Sequence, residues 1–519
     1  MKQNHILIAA ICMVLLTAFP ARQTEAQGKQ YKKELKELEK YYEESREAWD
    51  VPGLAVAIVK DNGIIFAEGF GVQDIETGAP VNSQTMFPIA SNTKAFTASA
   101  LAILVDEGKI SWNDKVVDYL PYFKMYDPYV TENMTIRDLL THRSGLATFS
   151  GDLIWYGSNF DREEIIRRAG FLEPVHGFRE NFGYSNIMYI AAGEIIPAVT
   201  GKSWDDFIRE RFFEPLEMER TVTSTNDLDN FENVATPHTT HNDEVIAIEY
   251  LNWDNVAPAG SIISCVEDVS QWLIMQLNRG IYGGDTIFTP RRSREMWSQV
   301  TVLNISAFSE QNWPSMFFRS YGLGWSLSNY LGNKVVGHSG GYDGMISYTC
   351  MVPDENLGFV ILTNKNSSLY YPLIYKTLDI FLGGDDKDWS SFMLDLMEQR
   401  DAREAQQRAK KLETRKQNTS PSLDLEAYTG NYGGEVYGDA VVELQNGSLF
   451  VQFVPSPKFR GELSHWHFDT FEITFKQFPS LPSGTCTFVL NADGEVDEMI
   501  IDVPNPDFDF TELDFKKKN

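Results

Sequence analysis

The stretch Pro88-Ile-Ala-Ser-Asn-Thr-Lys-Ala95 decides the fold, because it places a serine and a lysine three residues apart where a loop becomes a helix. An apolar helical pattern follows over residues 95–107 and stops at Gly108. Positions i and i+3 of a helix lie about 60° apart around its axis, so Ser91 and Lys94 share one face. A serine becomes nucleophilic when a base takes its proton, and a lysine desolvated by burial can be that base. The alternative is a helix cap followed by a solvated lysine.

A second element is Gly183-Tyr-Ser-Asn186, which lies just before a predicted helix over residues 187–199. Tyr184 beside Ser91 could pass a proton to a leaving group, and the Asn186 amide could orient a substrate carbonyl. A second match to this short pattern is Tyr250-Leu-Asn252. We prefer the first match because its glycine-containing turn favours an exposed loop before the helix.

The third element is Gly337-His-Ser-Gly-Gly341, which lies in a strand-like run. Its small residues, Ser339 and Gly340 among them, let a strand backbone approach a bound ligand closely. The Gly341 amide could then face the Ser91 amide across a substrate carbonyl and complete a two-donor oxyanion hole. The alternative reading of this run is a glycine-rich turn between strands.

Taken in this order and approximate spacing, the three elements resemble those of the penicillin-recognising serine enzymes. The chain is similar to the class C β-lactamase-related family, which includes D,D-carboxypeptidases, D-aminopeptidases and some esterases. Four further stretches fit this resemblance, namely Thr135-Ile-Arg-Asp-Leu-Leu-Thr-His-Arg-Ser-Gly-Leu146, Phe213-Glu-Pro-Leu-Glu-Met218, Pro258-Ala-Gly-Ser261 and Tyr321-Gly-Leu-Gly-Trp325. Near the C-terminus, Tyr428-Thr-Gly-Asn-Tyr432 resembles the small β-barrel domain that follows many relatives.

The resemblance implies roles for individual residues. Ser91 is the acylated nucleophile, Lys94 its base, and Tyr184 the proton donor to the leaving group. Substrate is held by Asn186 and by the strand residues His338, Ser339, Gly340 and Gly341. Most β-lactamases have a lysine at the position of His338, and a histidine is mostly neutral at pH 7. Strong β-lactam hydrolysis is therefore not expected.

The expected fold class is α+β. Strands at both ends of residues 27–385, with helices between them, predict a single antiparallel sheet flanked by helices. The resemblance makes this the β-lactamase/transpeptidase-like fold with an all-helical subdomain. A charged helical connector is predicted over residues 386–422, and short alternating strands predict a small antiparallel barrel-like domain over residues 423–519. An apolar run ending in Thr24-Glu-Ala26 predicts a signal peptide over residues 1–26 and an exported, periplasmic or extracellular protein.

Composition narrows the classes of partner. The formal net charge is −28, so binding to nucleic acid through overall charge is excluded. No stretch after the signal peptide is apolar enough to span a membrane. Three cysteines, Cys265, Cys350 and Cys486, remain once the predicted signal peptide with Cys12 is removed. They are predicted to be buried thiols, because they are widely spaced and odd in number. The pair in His238-Thr-Thr-His241 is a weak metal pattern that reads as a loop, so no metal or organic cofactor is expected.

The predicted function is hydrolysis of an amide or ester bond through an acyl-serine intermediate. A D-amino-acid peptidase or carboxypeptidase-like activity is the first expectation, with a small molecule or short peptide as substrate, including peptidoglycan-derived peptides. The alternatives are a carboxylesterase, a weak β-lactamase, and a binding or scaffold protein that keeps the fold without catalysis. The oligomeric state is not indicated by the sequence.

Overall fold

The computed structural model describes residues 30–505 and 507–518. The predicted signal peptide, residues 1–26, lies outside the described residues. The helices, in chain order, are α1 Lys32–Ala48, α2 Thr93–Asp106, α3 Pro128–Asn133, α4 Ile136–Leu139, α5 Asp152–Trp155, α6 Arg162–Arg168, α7 Asn186–Thr200, α8 Trp204–Ile208, α9 Ala257–Gly260, α10 Val266–Leu277, α11 Pro290–Met296, α12 Ala307–Asn312, α13 Tyr370–Leu382 and α14 Trp389–Thr414.

The strands are numbered in the same way. They are β1 Gly53–Lys60, β2 Gly63–Gly71, β3 Phe87–Pro88, β4 His238–His241, β5 Glu244–Ala247, β6 Ile263–Ser264, β7 Ile281–Tyr282, β8 Asp285–Thr286, β9 Thr301–Leu303, β10 Arg319–Tyr321, β11 Ser326–Tyr330, β12 Asn333–Tyr342, β13 Met345–Val352, β14 Leu357–Thr363, β15 Gly430–Gly434, β16 Gly438–Gln445, β17 Ser448–Phe453, β18 Arg460–His467, β19 Thr470–Thr474, β20 Gly484–Leu490, β21 Val496–Asp502 and β22 Phe515–Lys517.

One eight-stranded antiparallel sheet, in the order β2-β1-β14-β13-β12-β11-β10-β9, lies at the centre of the first domain. Strand β1 comes from the N-terminal part of the chain and pairs with β14, where Leu54 lies opposite Thr363. The prediction of an α+β fold, with one sheet assembled from both ends of the domain, is confirmed.

Strand β1 shows why helices cover both faces of this sheet. Its sequence GLAVAIVK is apolar at nearly every position, and successive side chains of a strand point to opposite faces. Ala55 and Ala57 belong to the hydrophobic core that contains α2 and α7. Leu54 and Val56 belong to a second core, which α1 and α13 cover. A strand that is apolar on both faces therefore lies between two helical layers.

The predicted all-helical region differs from the structure in three places. Short two-stranded sheets, β3–β6, β4–β5 and β7–β8, interrupt the helices. Of the helix predicted over 203–213, residues 204–213 are helical, but the α-helix α8 ends at Ile208 and residues 209–213 form a π-helical turn. The expected loop at His238 is strand β4, which buries this histidine and exposes His241. These features depend on tertiary packing, which local sequence patterns do not encode.

The C-terminal domain is a closed antiparallel barrel of β15 to β22. It closes where β15 pairs with β22, with Tyr432 opposite Lys517. Strand β17 alternates buried and half-buried residues, so its inward side chains fill the barrel core. The predicted antiparallel barrel is confirmed. Helix α14 precedes the barrel, and its buried residues are confined to the first two turns.

The barrel packs against the loop that follows α5. Tyr156 is buried there, and its ring centroid lies 4.2 Å from that of Phe508 and 5.6 Å from that of Phe459. Its hydroxyl donates a hydrogen bond to Asp343 at the end of β12. The neighbouring Trp155 is also buried, and its ring packs against Trp253 of the first domain.

Within residues 30–505 and 507–518, no helix is both long and apolar enough to cross a membrane. Cys265, Cys350 and Cys486 are buried free thiols, as predicted.

Replacing Tyr156 by alanine tests the barrel contact. We expect the free energy of unfolding to fall by about 3–5 kcal/mol, because a large buried ring leaves a cavity. Tyr156→Phe is the matched control, which keeps the ring and loses only the hydrogen bond, at a cost of about 1–3 kcal/mol. Chemical denaturation monitored by tryptophan fluorescence measures both values. Equal stability of the alanine variant and the wild type would contradict this account of the interface.

Candidate active site

Ser91 lies on a tight turn that the central sheet holds in place. Residues Ala90–Asn92 form a single 3₁₀ turn, which runs directly into α2. The Asn92 amide donates to Ser347 Oγ at 2.8 Å and accepts from Thr349 Oγ1 at 2.6 Å, and both partners lie on β13. Ala90 has a left-handed φ of 46°, which is uncommon for a residue with a side chain. The half-buried Ser91 is thus fixed by the sheet behind it.

Lys94 is fully buried, and its Nζ meets three oxygen atoms. Nζ lies 3.0 Å from Ser91 Oγ, 2.7 Å from Asn186 Oδ1 and 2.8 Å from the carbonyl oxygen of Ala259. Two of these oxygens can only accept hydrogen bonds, whereas the serine hydroxyl can also donate. A neutral amine therefore fits the site, with two N–H groups on the carbonyl oxygens and a lone pair toward Ser91.

Burial favours the neutral form of this amine. Desolvation lowers the pKa of Lys94 to about 7, and the negative charge of Asp152 opposes that shift. The aromatic faces of Tyr184 and Tyr189 lie 4.8 Å and 5.4 Å from Nζ and favour its cationic form. The Lys94 side chain can therefore gain or lose a proton near neutral pH.

Tyr184 lies on the other side of the serine. Its hydroxyl is hydrogen-bonded to Ser91, and burial raises the pKa of Tyr184, so the phenol keeps its proton. The ring of His142 stacks on Tyr184 with centroids 4.2 Å apart. His142 Nδ1 accepts a hydrogen bond from the Ser185 N–H, which fixes the loop that carries Tyr184. The chain's second match to the pattern is elsewhere, since Tyr250 donates to the carbonyl of Ala235.

Strand β12 brings its glycines against the serine turn. A Cβ built on Gly340 would lie 2.2 Å from the carbonyl oxygen of Ile89 and 3.0 Å from the amide nitrogen of Ser91. Only glycine fits at so close an approach. Strand β11 pairs with β12 only as far as Gly337, and within the described residues Ser339 and Gly341 are exposed beyond that point. An extended substrate could pair with this edge.

His338 is buried beside Tyr184, with ring centroids 6.3 Å apart. Nδ1 donates to the carbonyl oxygen of Ser339 at 2.6 Å, so Nε2 accepts from the Tyr321 hydroxyl at 2.8 Å. Desolvation, together with the charge of Lys94, lowers the pKa of His338 to about 3. The imidazole is therefore neutral at physiological pH and offers no positive charge to a substrate.

The structure thus brings Ser91, Lys94, Tyr184, Asn186 and the β12 residues together, as the sequence predicts. The sequence analysis missed four neighbours, which are His142, Asp152, Ala259 and Tyr321. His142, Ala259 and Tyr321 lie inside stretches that fit the family resemblance, but no role was predicted for them. Asp152 is an isolated acidic residue in an aromatic, apolar segment, which was a usable signal of a buried polar role.

The β-lactamase family model matches residues 38–374, which is more than half of the chain. The chain belongs to the β-lactamase family. Its members are β-lactamase-fold serine hydrolases. A separate match, to a domain of unknown function called DUF3471, covers residues 414–517 and so coincides with the barrel and the end of α14.

Similar curated proteins come from fungi and bacteria. The chain is 30% identical over 415 residues to the unguisins hydrolase ungD' of Aspergillus campestris, covering 75% of this chain and 74% of that protein. It is 29% identical over 347 residues to the protein flp of Staphylococcus aureus strain N315. That match covers 66% of this chain and 65% of the flp protein.

A solved structure with the same fold is the octameric penicillin-binding protein homologue from Pyrococcus abyssi, with a TM-score of 0.61 and 22% identity. That match covers 93% of this chain and the whole of the homologue. The predicted β-lactamase/transpeptidase-like fold is confirmed.

The neutral state of His338 leads to a prediction. His338→Lys adds a cation beside the serine, and a charge-assisted bond to a substrate carboxylate gains about 1.5–3 kcal/mol. We expect acylation by a penicillin to become roughly tenfold faster or more. His338→Gln, which stays neutral, is the matched control. Stopped-flow measurement of acylation checks this, and equal rates for the lysine and glutamine variants would contradict it.

Proposed function

We propose that this family member hydrolyses amide or ester bonds through an acyl-serine intermediate, with Ser91 as nucleophile. The observation that carries the proposal is the 3.0 Å approach of Lys94 Nζ to Ser91 Oγ inside a site that favours the neutral amine. In the first step, Ser91 gives its proton to Lys94 while Oγ forms a bond to the substrate carbonyl carbon. The resulting oxyanion is met by the amides of Ser91 and Gly341.

Tyr184 is placed to complete the acylation. Its phenol is protonated and hydrogen-bonded to Ser91, so it can pass a proton to the leaving nitrogen or oxygen as the carbonyl–heteroatom bond breaks. The proton on Lys94 then replaces the one that Tyr184 has lost. In the second half of the reaction, water attacks the acyl-serine ester and gives its proton to the same Lys94–Tyr184 pair. The bond between Ser91 Oγ and the carbonyl carbon then breaks, the pair returns the proton to Oγ, and the acid is released.

The first proposed substrate class is a short peptide containing a D-amino acid, as the sequence motifs imply. The neutral His338 removes the positive charge that would hold a substrate carboxylate near the bond. That feature favours substrates with an uncharged group at this point over strong β-lactam hydrolysis. It also supports a second candidate, a carboxylesterase, whose substrates carry no such carboxylate. The Aspergillus relative is named a hydrolase, which agrees with either activity.

We also propose that the protein is exported and cut before Gln27. The basis is the N-terminal sequence alone, which joins an apolar run to small residues at the cut. Mass measurement of the mature protein from its native source would show a first residue at or near Gln27. A mature chain that still carries the apolar run would rule out this cleavage.

Labelling with a fluorophosphonate tests the nucleophile. We expect one covalent adduct by intact mass in the wild type and none in Ser91→Ala, because only a serine with an adjacent base reacts readily. A substrate panel follows: a D-alanine nitroanilide, its L-alanine counterpart, a short-chain nitrophenyl ester and a chromogenic cephalosporin. Faster turnover of the D-amide supports the peptidase, and turnover of the ester alone supports the esterase. A folded wild type that neither forms an adduct nor turns over a substrate would contradict the proposal and favour the binding-protein alternative.

The pH dependence tests the base. The neutral amine of Lys94 is the active form, so kcat/KM should fall about tenfold per pH unit below its midpoint. Since burial lowers the pKa of Lys94 to about 7, the acid limb should have its midpoint close to pH 7. Steady-state rates between about pH 5 and 9 measure this limb, because the range extends roughly two pH units to either side of the expected midpoint. A value of kcat/KM that stays flat down to about pH 5 would contradict Lys94 as the base.

A further inference from the structure

A buried carboxyl group lies behind the predicted base, and none of the proposed steps uses it. Asp152, the first residue of α5, is almost fully buried. Its Oδ2 accepts a hydrogen bond from Asn186 Nδ2 at 2.6 Å, and its Oδ1 accepts from Trp155 Nε1 at 2.9 Å. The other end of the same amide, Asn186 Oδ1, accepts from Lys94 Nζ at 2.7 Å. Asp152, Asn186 and Lys94 therefore form a continuous chain.

The carboxylate dictates which way the Asn186 amide points. An ionised carboxylate only accepts hydrogen bonds, so the NH₂ group of Asn186 must face Asp152. The amide oxygen is then left facing Lys94, where it can accept one N–H. Without Asp152, the Asn186 amide could rotate by half a turn and present its NH₂ group to Lys94. The single lone pair of the neutral Lys94 amine already accepts from Ser91, so it could not accept from this NH₂ group as well.

The opposite charges of Asp152 and Lys94 also attract each other through the buried interior. Burial raises the pKa of Asp152 to about 7, and the charge of Lys94 opposes that rise. The titratable groups facing the pair from other elements are the imidazoles of His142 and His338, the phenols of Tyr184, Tyr189 and Tyr437, and the carboxylate of Glu512. Burial lowers the pKa of both histidines and raises that of all three tyrosines, so these groups stay neutral near pH 7.

Glu512 reaches this site from the barrel. Its Oε2 accepts from the Gly151 N–H at 2.9 Å and from the Tyr437 hydroxyl at 2.6 Å. Gly151 directly precedes Asp152, and the negative charge of Glu512 raises the pKa of Asp152. A barrel residue thus acts on the carboxyl group that lies one amide away from Lys94.

We propose that Asp152 is a positioning residue. It orients the Asn186 amide, and its negative charge stabilises the ammonium form of Lys94. Glu512 opposes this effect, because its own negative charge disfavours the ionised form of Asp152. The proposal rests on the proposed function, in which Lys94 is the base. Asp152 touches neither Ser91 nor the substrate. Asp152 acts instead on the pH range over which Lys94 is a neutral amine.

Replacing each of the two acidic residues should shift the titration of Lys94, and the two shifts should be in opposite directions. In Asp152→Asn the ammonium form of Lys94 loses its negative partner, so the lysine should titrate about one pH unit lower. In Glu512→Gln the repulsion on Asp152 is relieved, so Asp152 ionises more readily and Lys94 should titrate at a higher pH, by a smaller shift. Loss of structure would not produce shifts of opposite sign.

The experiment follows the Lys94 ¹³Cε resonance against pH in the full chain, with Lys94→Ala used to assign it. Rates of fluorophosphonate labelling over the same pH range provide the parallel kinetic profile. Asp379→Asn is the matched control, because Asp379 is also buried and also accepts from a tryptophan N–H, that of Trp389, but lies under the other face of the sheet. We expect no shift of Lys94 in this control.

The proposal is overturned if Asp152→Asn leaves the Lys94 titration unchanged, or if Glu512→Gln shifts it in the same direction as Asp152→Asn. Should Asp152→Asn fail to fold, Glu512→Gln alone decides, since an unchanged or lowered titration in that variant contradicts the proposal. Failure of the proposed function looks different. In that case the wild type takes up no fluorophosphonate, while the Lys94 resonance still follows Asp152 and Glu512.

Discussion

The complete burial of Lys94 is the constraint on which the rest of the site depends. A cation without access to water is costly, and here its surroundings consist of carbonyl oxygens, a hydroxyl group and aromatic faces. Helix α2 supplies the lysine, α7 supplies the Asn186 amide and α9 supplies the Ala259 carbonyl. These three helices must pack closely for the amine to be satisfied, so the surroundings of Ser91 depend on the packing of the hydrophobic core.

Much of this arrangement could be predicted from the sequence because the information is local. The spacing of Ser91 and Lys94 defines a helix face, and the apolar runs at both ends of the domain define strands that need partners. Gly340 could be expected to allow close approach, and the structure shows that the approach is to the serine turn itself. The histidine at position 338, where the resemblance leads one to expect a lysine, gave the reason for not expecting strong β-lactam hydrolysis.

The remaining features could not be predicted because they depend on contacts between distant segments. Asp152 bonds to Asn186, and nothing near Asp152 in the sequence indicates that partner. The neutral state of His338 depends on its burial and on the nearby charge of Lys94, neither of which can be read from the sequence around position 338. The barrel's contribution could not be predicted for the same reason, because Glu512 accepts a hydrogen bond from Gly151, which lies 361 residues earlier in the sequence. The segment that holds the barrel, from Gly151 to Tyr156, also carries the carboxyl group behind the base.

The pairing of β1 with β14 has a consequence for the order in which the molecule forms. The two strands lie roughly three hundred residues apart, and contacts of such long sequence separation form slowly. Strand β13, which holds the turn before α2, is the direct neighbour of β14 in the sheet. A ribosome must therefore complete the whole first domain before the sheet can close behind Ser91. Until then the newly made chain carries the residues of a hydrolase without its chemistry.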